Sequence, residues 1–349
     1  MDHDRRPRPH RRCRRCALSP AGAKLDGANG DGRLCLRRRV PRAHLSGARG
    51  ASRGCSGGQK WSFHLSGTPC RSHDMHFGRR RARPSRSRPE RDRGDGHQSC
   101  GDSLIACAYA TALGARPDNQ DRCAISPRWV VLSDGAGGHA GGALAAELTV
   151  ESVVSCFADA KAFDARLLEE AASRANRQVR SRRRADATVA AMAATLTVAI
   201  ATTVEEVASR WLVANIGDSR AWFVNTTSAT QLTEDDNVAA QLVRSGSLTP
   251  EEALAHPGRH WITRAIGPED RVVPETSEVW LHAGDALLLA SDGLDVLTTD
   301  DIRRVMADAA RPADAARSLV ELALRHGAVD NVTAAVVRHM TSSGDAPGT

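Results

Sequence analysis

Residues 129–142 read Trp129-Val130-Val131-Leu132-Ser133-Asp134-Gly135-Ala136-Gly137-Gly138-His139-Ala140-Gly141-Gly142. The first four residues are apolar and β-forming, a short run that suits a buried strand. The run stops at a carboxylate, Asp134, and opens into a glycine-rich loop. Gly135, Gly137 and Gly138 let the backbone bend sharply and bring a carbonyl close to an ion or ligand. Beyond Gly142, the residues Ala143, Ala146, Val150, Val153 and Phe157 recur at helical spacing. A carboxylate on a rigid strand beside bare backbone oxygen suits a hard cation. Two other readings apply to the same residues. Asp-Gly after a strand is a common turn. The stretch also fits the G-x-G-x-x-A pattern of dinucleotide-binding loops. Against that, Asp134 would set negative charge beside a pyrophosphate, and no second strand ending in an acid follows about 20 residues on.

A chain of 349 residues allows about two domains. Its net charge of +7 averages two unlike parts. Residues 1–100 carry 25 Lys and Arg against 8 acids, and the remainder carries 23 against 33. The N-terminal segment is rich in Arg, Gly, Ser and Pro and lacks a hydrophobic period, which predicts disorder. A basic arm suits nucleic acid or an anionic surface, but few aromatic residues are present to stack on bases, so nucleic acid is not expected as a partner. The composition equally fits sequence lying upstream of a start nearer residue 100.

Six of the nine cysteines lie in that segment. Cys13-x-x-Cys16 has no second pair at zinc spacing. Cys107, Cys123 and Cys156 read as buried free thiols. No apolar run reaches ~18 residues and no apolar signal core follows the basic start. The expectation is a cytoplasmic protein without a membrane span.

Downstream, strands are predicted at 104–113, 129–132, 195–202, 211–216, 221–224, 261–266, 279–281, 286–290 and 332–337. Helices are predicted at 143–158, 164–185, 235–245, 248–255, 299–308 and 313–326. The strands at 211–216 and 221–224 read as antiparallel neighbours around Gly217-Asp218-Ser219-Arg220. Residues 235–255 form a polar excursion, a surface flap. Strands come in antiparallel runs with helices inserted in pairs, unlike the regular alternation of a doubly wound sheet. Residues 101–340 are taken as one domain and 341–349 as a loose tail.

An apolar strand ending in Ser-Asp-Gly occurs twice, at Ser133-Asp134-Gly135 and Ser291-Asp292-Gly293. Asp330 adjoins the last core strand and Asp121 follows the first. Each alone is ordinary turn chemistry. Gathered, they would repel unless a cation offsets them. Carboxylate and carbonyl donors, with only His139 as a nearby nitrogen, select Mg²⁺ or Mn²⁺ over zinc.

An ordered series of motifs over about 104–338 resembles the metal-dependent serine/threonine protein phosphatases of type 2C in their compact bacterial form. The series runs Gly114, Arg116, Asn119-Gln120-Asp121; Asp134 to His139; Met192-Ala193-Ala194-Thr195-Leu196; Asn215-Ile216-Gly217-Asp218-Ser219-Arg220; Leu232-Thr233; Leu248-Thr249-Pro250-Glu251-Glu252; Thr263-Arg264-Ala265-Ile266-Gly267; Ser291-Asp292-Gly293-Leu294; and Asp330-Asn331-Val332-Thr333.

The resemblance implies an α+β fold, a four-layer αββα sandwich of two antiparallel sheets flanked by helix pairs. It implies two Mn²⁺ or Mg²⁺ ions, with a weaker third at Asp218. Asp134 would serve both ions, the Gly135 carbonyl one, Asp292 and Asp330 the other, with Asp121 nearby. Arg116 would grip the substrate phosphate as a fork. The implied activity is hydrolysis of phosphoserine and phosphothreonine on proteins by a metal-activated water, with a cognate serine/threonine kinase as a partner. The alternative is a catalytically weak module that binds phosphoproteins. Gln120 stands where many members carry Glu, Asp236 where a His is frequent, and Ala136 where a bulkier residue is common. No general acid is assigned. Arg220 is read as an arginine bracing the turn rather than a phosphate ligand.

Overall fold

In a computed structural model, the described residues are 94–98, 104–137 and 139–340. Two antiparallel sheets carry the chain. The first has the order β1-β2-β13-β12-β9-β10, built from Gly94–Gln98, Ile105–Ala112, Val332–His339, Ala286–Ala290, Arg220–Val224 and Ala229–Gln231 respectively. The second has the order β11-β8-β7-β4-β3, from Glu275–His282, Ala208–Ile216, Leu196–Val204, Trp129–Ser133 and Arg122–Ser126. A two-stranded ribbon pairs β5 (Gly135–Ala136) with β6 (Ala193–Ala194).

Alternation along the strands sorts residues onto opposite faces. In β7, Leu196, Val198 and Ile200 pack with Leu168, Ala172, Ala175 and Val179. These come from α2 (Ala165–Ala185), which lies with α1 (His139–Ala158) on the second sheet. In β13, Val332, Ala334 and Val336 pack with Ile302 and Met306 of α5 (Thr299–Asp308) and Leu319 and Ala323 of α6 (Pro312–Arg325). The intervening residues of the central strands are buried as well: Val130, Leu132, Leu287, Leu289 and Val337 are all 0% exposed. Strands covered on both faces read as unbroken apolar runs. That is why 129–132 and 286–290 stand out in the sequence. The expected αββα layering is present.

Several expectations are corrected. Residues 211–216 and 221–224 are not paired neighbours. The first lies in β8 of the second sheet and the second in β9 of the first, so the Gly217-Asp218-Ser219 turn carries the chain between sheets. Local pattern shows two strands and a turn but not which partner each strand takes. Residues 261–266 form no strand. They make isolated bridges, Asn237 with Ile262 and Ala194 with Ile266. The third helix is Val238–Arg244 rather than 235–245, because the Asn237 side chain accepts from the Ala240 N–H and starts it there.

Helix α1 begins at His139, inside the glycine run. A Cβ on Gly142 would stand 1.9 Å from Oε1 of Gln120, so this glycine serves close approach rather than a turn. The window Gly141–Ala158 has mean hydropathy 1.3 and is long and apolar enough to cross a membrane, against expectation. Of that window, 56% is buried in the domain, as suits a core helix. Cys107, Cys123 and Cys156 form no disulfide; Cys107 and Cys156 are buried, whereas Cys123 is only partly covered. Residues 94–98 pair with β2 as an edge strand, so ordered structure begins before residue 101. The remaining expectations for 1–100, and that for 341–349, fall outside the described residues. Helix α4 (Pro250–Ala255) starts as read, with a capping box between Thr249 and Glu252 and proline in the first turn.

Leu288→Ala, in the wall between β12 and the α5–α6 pair, is expected to cost roughly 2–5 kcal/mol. Chemical denaturation checks this: the midpoint falls and the denaturant slope stays unchanged.

Candidate active site

At one end of the sandwich, strand ends from both sheets bring acids together. Asp134 leaves β4. Its N–H donates to Thr195 Oγ1 at 2.9 Å and its carbonyl accepts from Thr195 N at 2.8 Å. Thr195 Oγ1 also bonds Ser219 Oγ at 2.8 Å, tying the Asp134 strand end to the turn that carries Asp218. Asp292 opens a 3-10 turn, Asp292–Val296, after β12. Asp330 precedes β13. Its Oδ1 accepts from Asn331 N at 2.8 Å and its Oδ2 from Arg116 Nη2 at 2.9 Å.

Asn331 in turn donates to the Leu113 and Asp118 carbonyls and accepts from Gln120 N. The loop carrying Arg116 and the loop carrying Asp330 are therefore one bonded unit. A Cβ on Gly114 would lie 2.0 Å from the Asp330 carbonyl oxygen, so only glycine admits that approach.

Asp121 sits behind the others, 4% exposed. Its Oδ2 accepts from Ser291 Oγ at 2.7 Å and Thr333 Oγ1 at 2.6 Å. Thr333 has one hydroxyl hydrogen and gives it to Asp121, so Thr111 must donate across their 2.7 Å contact, and Asn119 Nδ2 donates to Thr111. The chain of donors ends on one carboxylate and favours its charged form.

A cleft of about 620 Å³ is lined by Arg116, Asp134, Gly135, Asp218, Asp292 and Asp330. Six of the seven expected site residues thus share one cleft, and Asp121 lies buried beneath them. The sequence reading missed Asp295, Arg259, His260, Trp261, Val296 and Val329 in the same lining. Asp295 carried a signal, since three residues after Asp292 places it on the same side of a 3-10 turn. In the structure the flap continues from the 235–255 excursion through the Pro257–His260 turn to Arg264, and its residues Arg259, His260 and Trp261 carried none. Trp261 reads as the start of a strand, and the place of all three at the cleft depends on how the excursion folds back. Arg220 does brace the turn: it forks onto Asp235 and pairs with Asp295. Asp236 joins Gly217 N and Arg264, so the flap is anchored to the sheet-crossing turn.

The acids raise one another's proton affinity. Burial first, then Asp121, Asp292, Asp330 and Asp218, push Asp134 well above the usual carboxylate range. Burial, then Asp218, Asp330, Asp295 and Asp121, do the same to Asp292. Asp121 is pushed up to about 6 by burial, against the pull of its two hydroxyl donors. Asp218 rises to about 8 through burial and the charges of Asp235 and Asp295. Like charges in a buried cleft behave in this way when nothing neutralises them.

The donor set suits a divalent cation. All are hard oxygens. Oδ1 of Asp121 and Oδ1 of Asp292 are buried with no partner, as is Nε of Arg116. For Asp121, only a protonated Asp134 facing it would supply a donor. Among the described residues, no three acids, histidines or cysteines already close on one ion-sized point. Both oxygens of Asp330 are engaged, by Asn331 and Arg116.

A two-sheet, four-layer sandwich with an all-oxygen acid cluster at one end and an arginine at its lip defines a class of metal-assisted hydrolases. Residues 114–325 match the family model for Protein phosphatase 2C, and the chain belongs to that family. It is 34% identical over 222 residues to the serine/threonine protein phosphatase PstP of Mycobacterium tuberculosis, a match covering 63% of this chain and 42% of that protein. It is 32% identical over 213 residues to protein phosphatase PhpP of Streptococcus pneumoniae, covering 60% of this chain and 84% of that protein. The chain thus matches less than half the length of PstP. The PstP catalytic domain solved with two manganese ions superposes with a TM-score of 0.60 at 31% identity, covering 68% of this chain and 98% of that one.

The raised acids fix a pH dependence. A carboxyl that binds its proton more tightly folded than unfolded stabilises the fold below the unfolded value and loses that contribution as pH rises through the folded value. For Asp218 the window is about 4 to 8. Held in chelator, Asp218→Asn should therefore gain melting temperature relative to wild type between pH 5 and pH 8, by about 2–8 °C. Thermal melts of both proteins at the two pH values test this; parallel pH slopes would remove the claimed repulsion.

Proposed function

We propose that this chain hydrolyses phosphoserine and phosphothreonine on proteins, with Mn²⁺ or Mg²⁺ as cofactor and a serine/threonine kinase supplying its substrates in the cytoplasm. The observation that carries the proposal is the convergence of Asp134, Gly135, Asp218, Asp292 and Asp330 on one cleft facing Arg116, in a chain of this family. Asp134 would serve two ions, the Gly135 carbonyl one of them, and Asp292 with Asp330 the other. The free Oδ1 of Asp121 lies behind that pair, and Asp218 suits a third, weaker ion. When bound, such ions would lower the pKa of a water and offset the charge of the phosphoryl oxygens.

The protein's own groups do the rest. The Nε of Arg116 is buried and unpartnered, and its Nη2 rests on Asp330. An arriving phosphate would exchange with Asp330 on Nη2, and the unpartnered Nε would become the second prong of a bidentate grip as the guanidinium turns toward it. The network from Asn119 through Thr111 and Thr333 fixes Asp121, and Thr195 fixes Asp134. The acids therefore keep their places as charge enters and leaves the cleft.

The full chain should release phosphate from a phosphothreonine peptide with Mn²⁺ and stop when a chelator is added. Asp134→Asn should lower kcat at least ~10²–10³-fold. Arg116→Ala should act mainly on KM, raising it about tenfold or more by loss of charge-assisted hydrogen bonds. Unchanged turnover in Asp134→Asn would sink the proposal. Binding of metal and phosphopeptide without turnover in wild type would favour the phosphoprotein-binding reading instead.

A further inference from the structure

We propose that His260, on the flap, is the acid that protonates the departing serine or threonine oxygen; this rests on the phosphatase reading above. Hydrolysis forms a bond from water oxygen to phosphorus and breaks the bond from phosphorus to the side-chain oxygen. The bonding pair leaves with that oxygen as a strongly basic alkoxide. It needs a proton at once, and the metal-ligating acids are poor sources because their role is to stay charged.

Six histidines lie beyond residue 104. His256 uses Nδ1 to cap Gly258 N. His339 is buried against Ser209 and the Glu206 carbonyl. His282 lies beside Asp285. Neither His282 nor His326 lines the cleft. The side chain of His139 is not among those described. Among the described imidazoles, only His260 lines the cleft that holds Asp134, Asp292, Asp330 and Arg116. It is exposed, and no described residue hydrogen-bonds its ring.

The backbone that presents it is held on both sides. Residues Pro257–His260 form a 3-10 turn with proline at its start. Arg259 N donates to the His256 carbonyl at 3.0 Å and Trp261 N to that of Gly258 at 3.2 Å. The Trp261 carbonyl accepts from Val238 N at 3.0 Å, which pins the turn to the start of α3. A Cβ on Gly258 would stand 2.8 Å from His256 Nδ1, so the turn is tightly seated. The ring is thus free while its backbone is fixed, a suitable state for a group that must meet a substrate atom.

The charges around the ring come from both sides of the cleft. Partial burial first, then Arg259 on its own turn, lower the ring's hold on its proton below the usual histidine range, and Asp330 across the cleft works in the other direction. Arg116, Asp292 and Asp295 share the lining. In the step, the imidazolium gives its N–H proton to the leaving oxygen, producing the Ser or Thr hydroxyl. The attacking water adds oxygen to phosphorus and passes a proton to the medium, from which the imidazole is recharged. Protons and electron pairs balance, and no further reactant enters.

The test compares leaving groups. The full chain with Mn²⁺ is assayed on a phosphothreonine peptide and on p-nitrophenyl phosphate, whose phenolate leaves without a proton. His260→Gln should lower kcat on the peptide about 10²-fold or more and on the aryl ester less than tenfold, with the peptide KM changed little. Free imidazole should restore part of the peptide activity of His260→Ala. Equal losses on the two substrates, no loss on either, or a leaving-group-dependent loss in His139→Gln instead would overturn the assignment. Inactivity of wild type on both substrates would defeat the phosphatase reading itself, an outcome seen before any variant is made.

Discussion

Mutual repulsion of buried carboxylates is the constraint on which the rest of this molecule depends. Two unit charges 5 Å apart at an effective dielectric of 20 repel by about 3 kcal/mol, and here six acids affect one another at one end of a sandwich. No isolated loop would hold such a group. Each acid stands instead at the end of a strand or in a loop stitched to one, and the layers of aliphatic side chains behind them supply the stability that the cluster lacks. The cluster keeps open oxygens, Oδ1 of Asp121 and Oδ1 of Asp292, where ordinary packing would leave none.

The two sheets are joined at that same end. The Gly217-Asp218-Ser219 turn takes the chain from β8 to β9 across the interior. Its neighbours are bonded to Thr195, Asp236 and, through Arg220, to Asp235 and Asp295. The first loop is fastened to the last through Asn331 and Arg116. A change in one acid's protonation or ligation is thereby felt by residues from both sheets and by the flap, whose Asp236–Arg264 pair rests on the same turn. The flap is a wall of the site rather than a loose appendage, and its position brings His260 and Trp261 to the acids.

Much of this was legible in the chain. Continuous apolar runs at 129–132 and 286–290 marked the central strands because both their faces are covered. Ser-Asp-Gly after each run marked the acid positions. Thr249 with Pro250 and Glu252 marked a helix start by capping chemistry alone. The failures share one cause. Residues 211–216 and 221–224 look like a hairpin because pattern records that a strand exists, not what it pairs with. Residues 261–266 are apolar enough for a strand but serve as a lining held by two isolated bridges.

By itself, the sequence determined where the acids sit along the chain, which segments are buried on two faces, and the family to which the ordered motifs point. These are local facts, carried by side-chain chemistry and spacing. Only the tertiary structure decided that Asp121 lies beneath the others, that Arg116 rests on Asp330, that the turn at Gly217 crosses between sheets, and that a flap histidine faces the acids. Those relations join residues as many as 214 positions apart. They are set by how two sheets close on one core, which no short window of sequence contains.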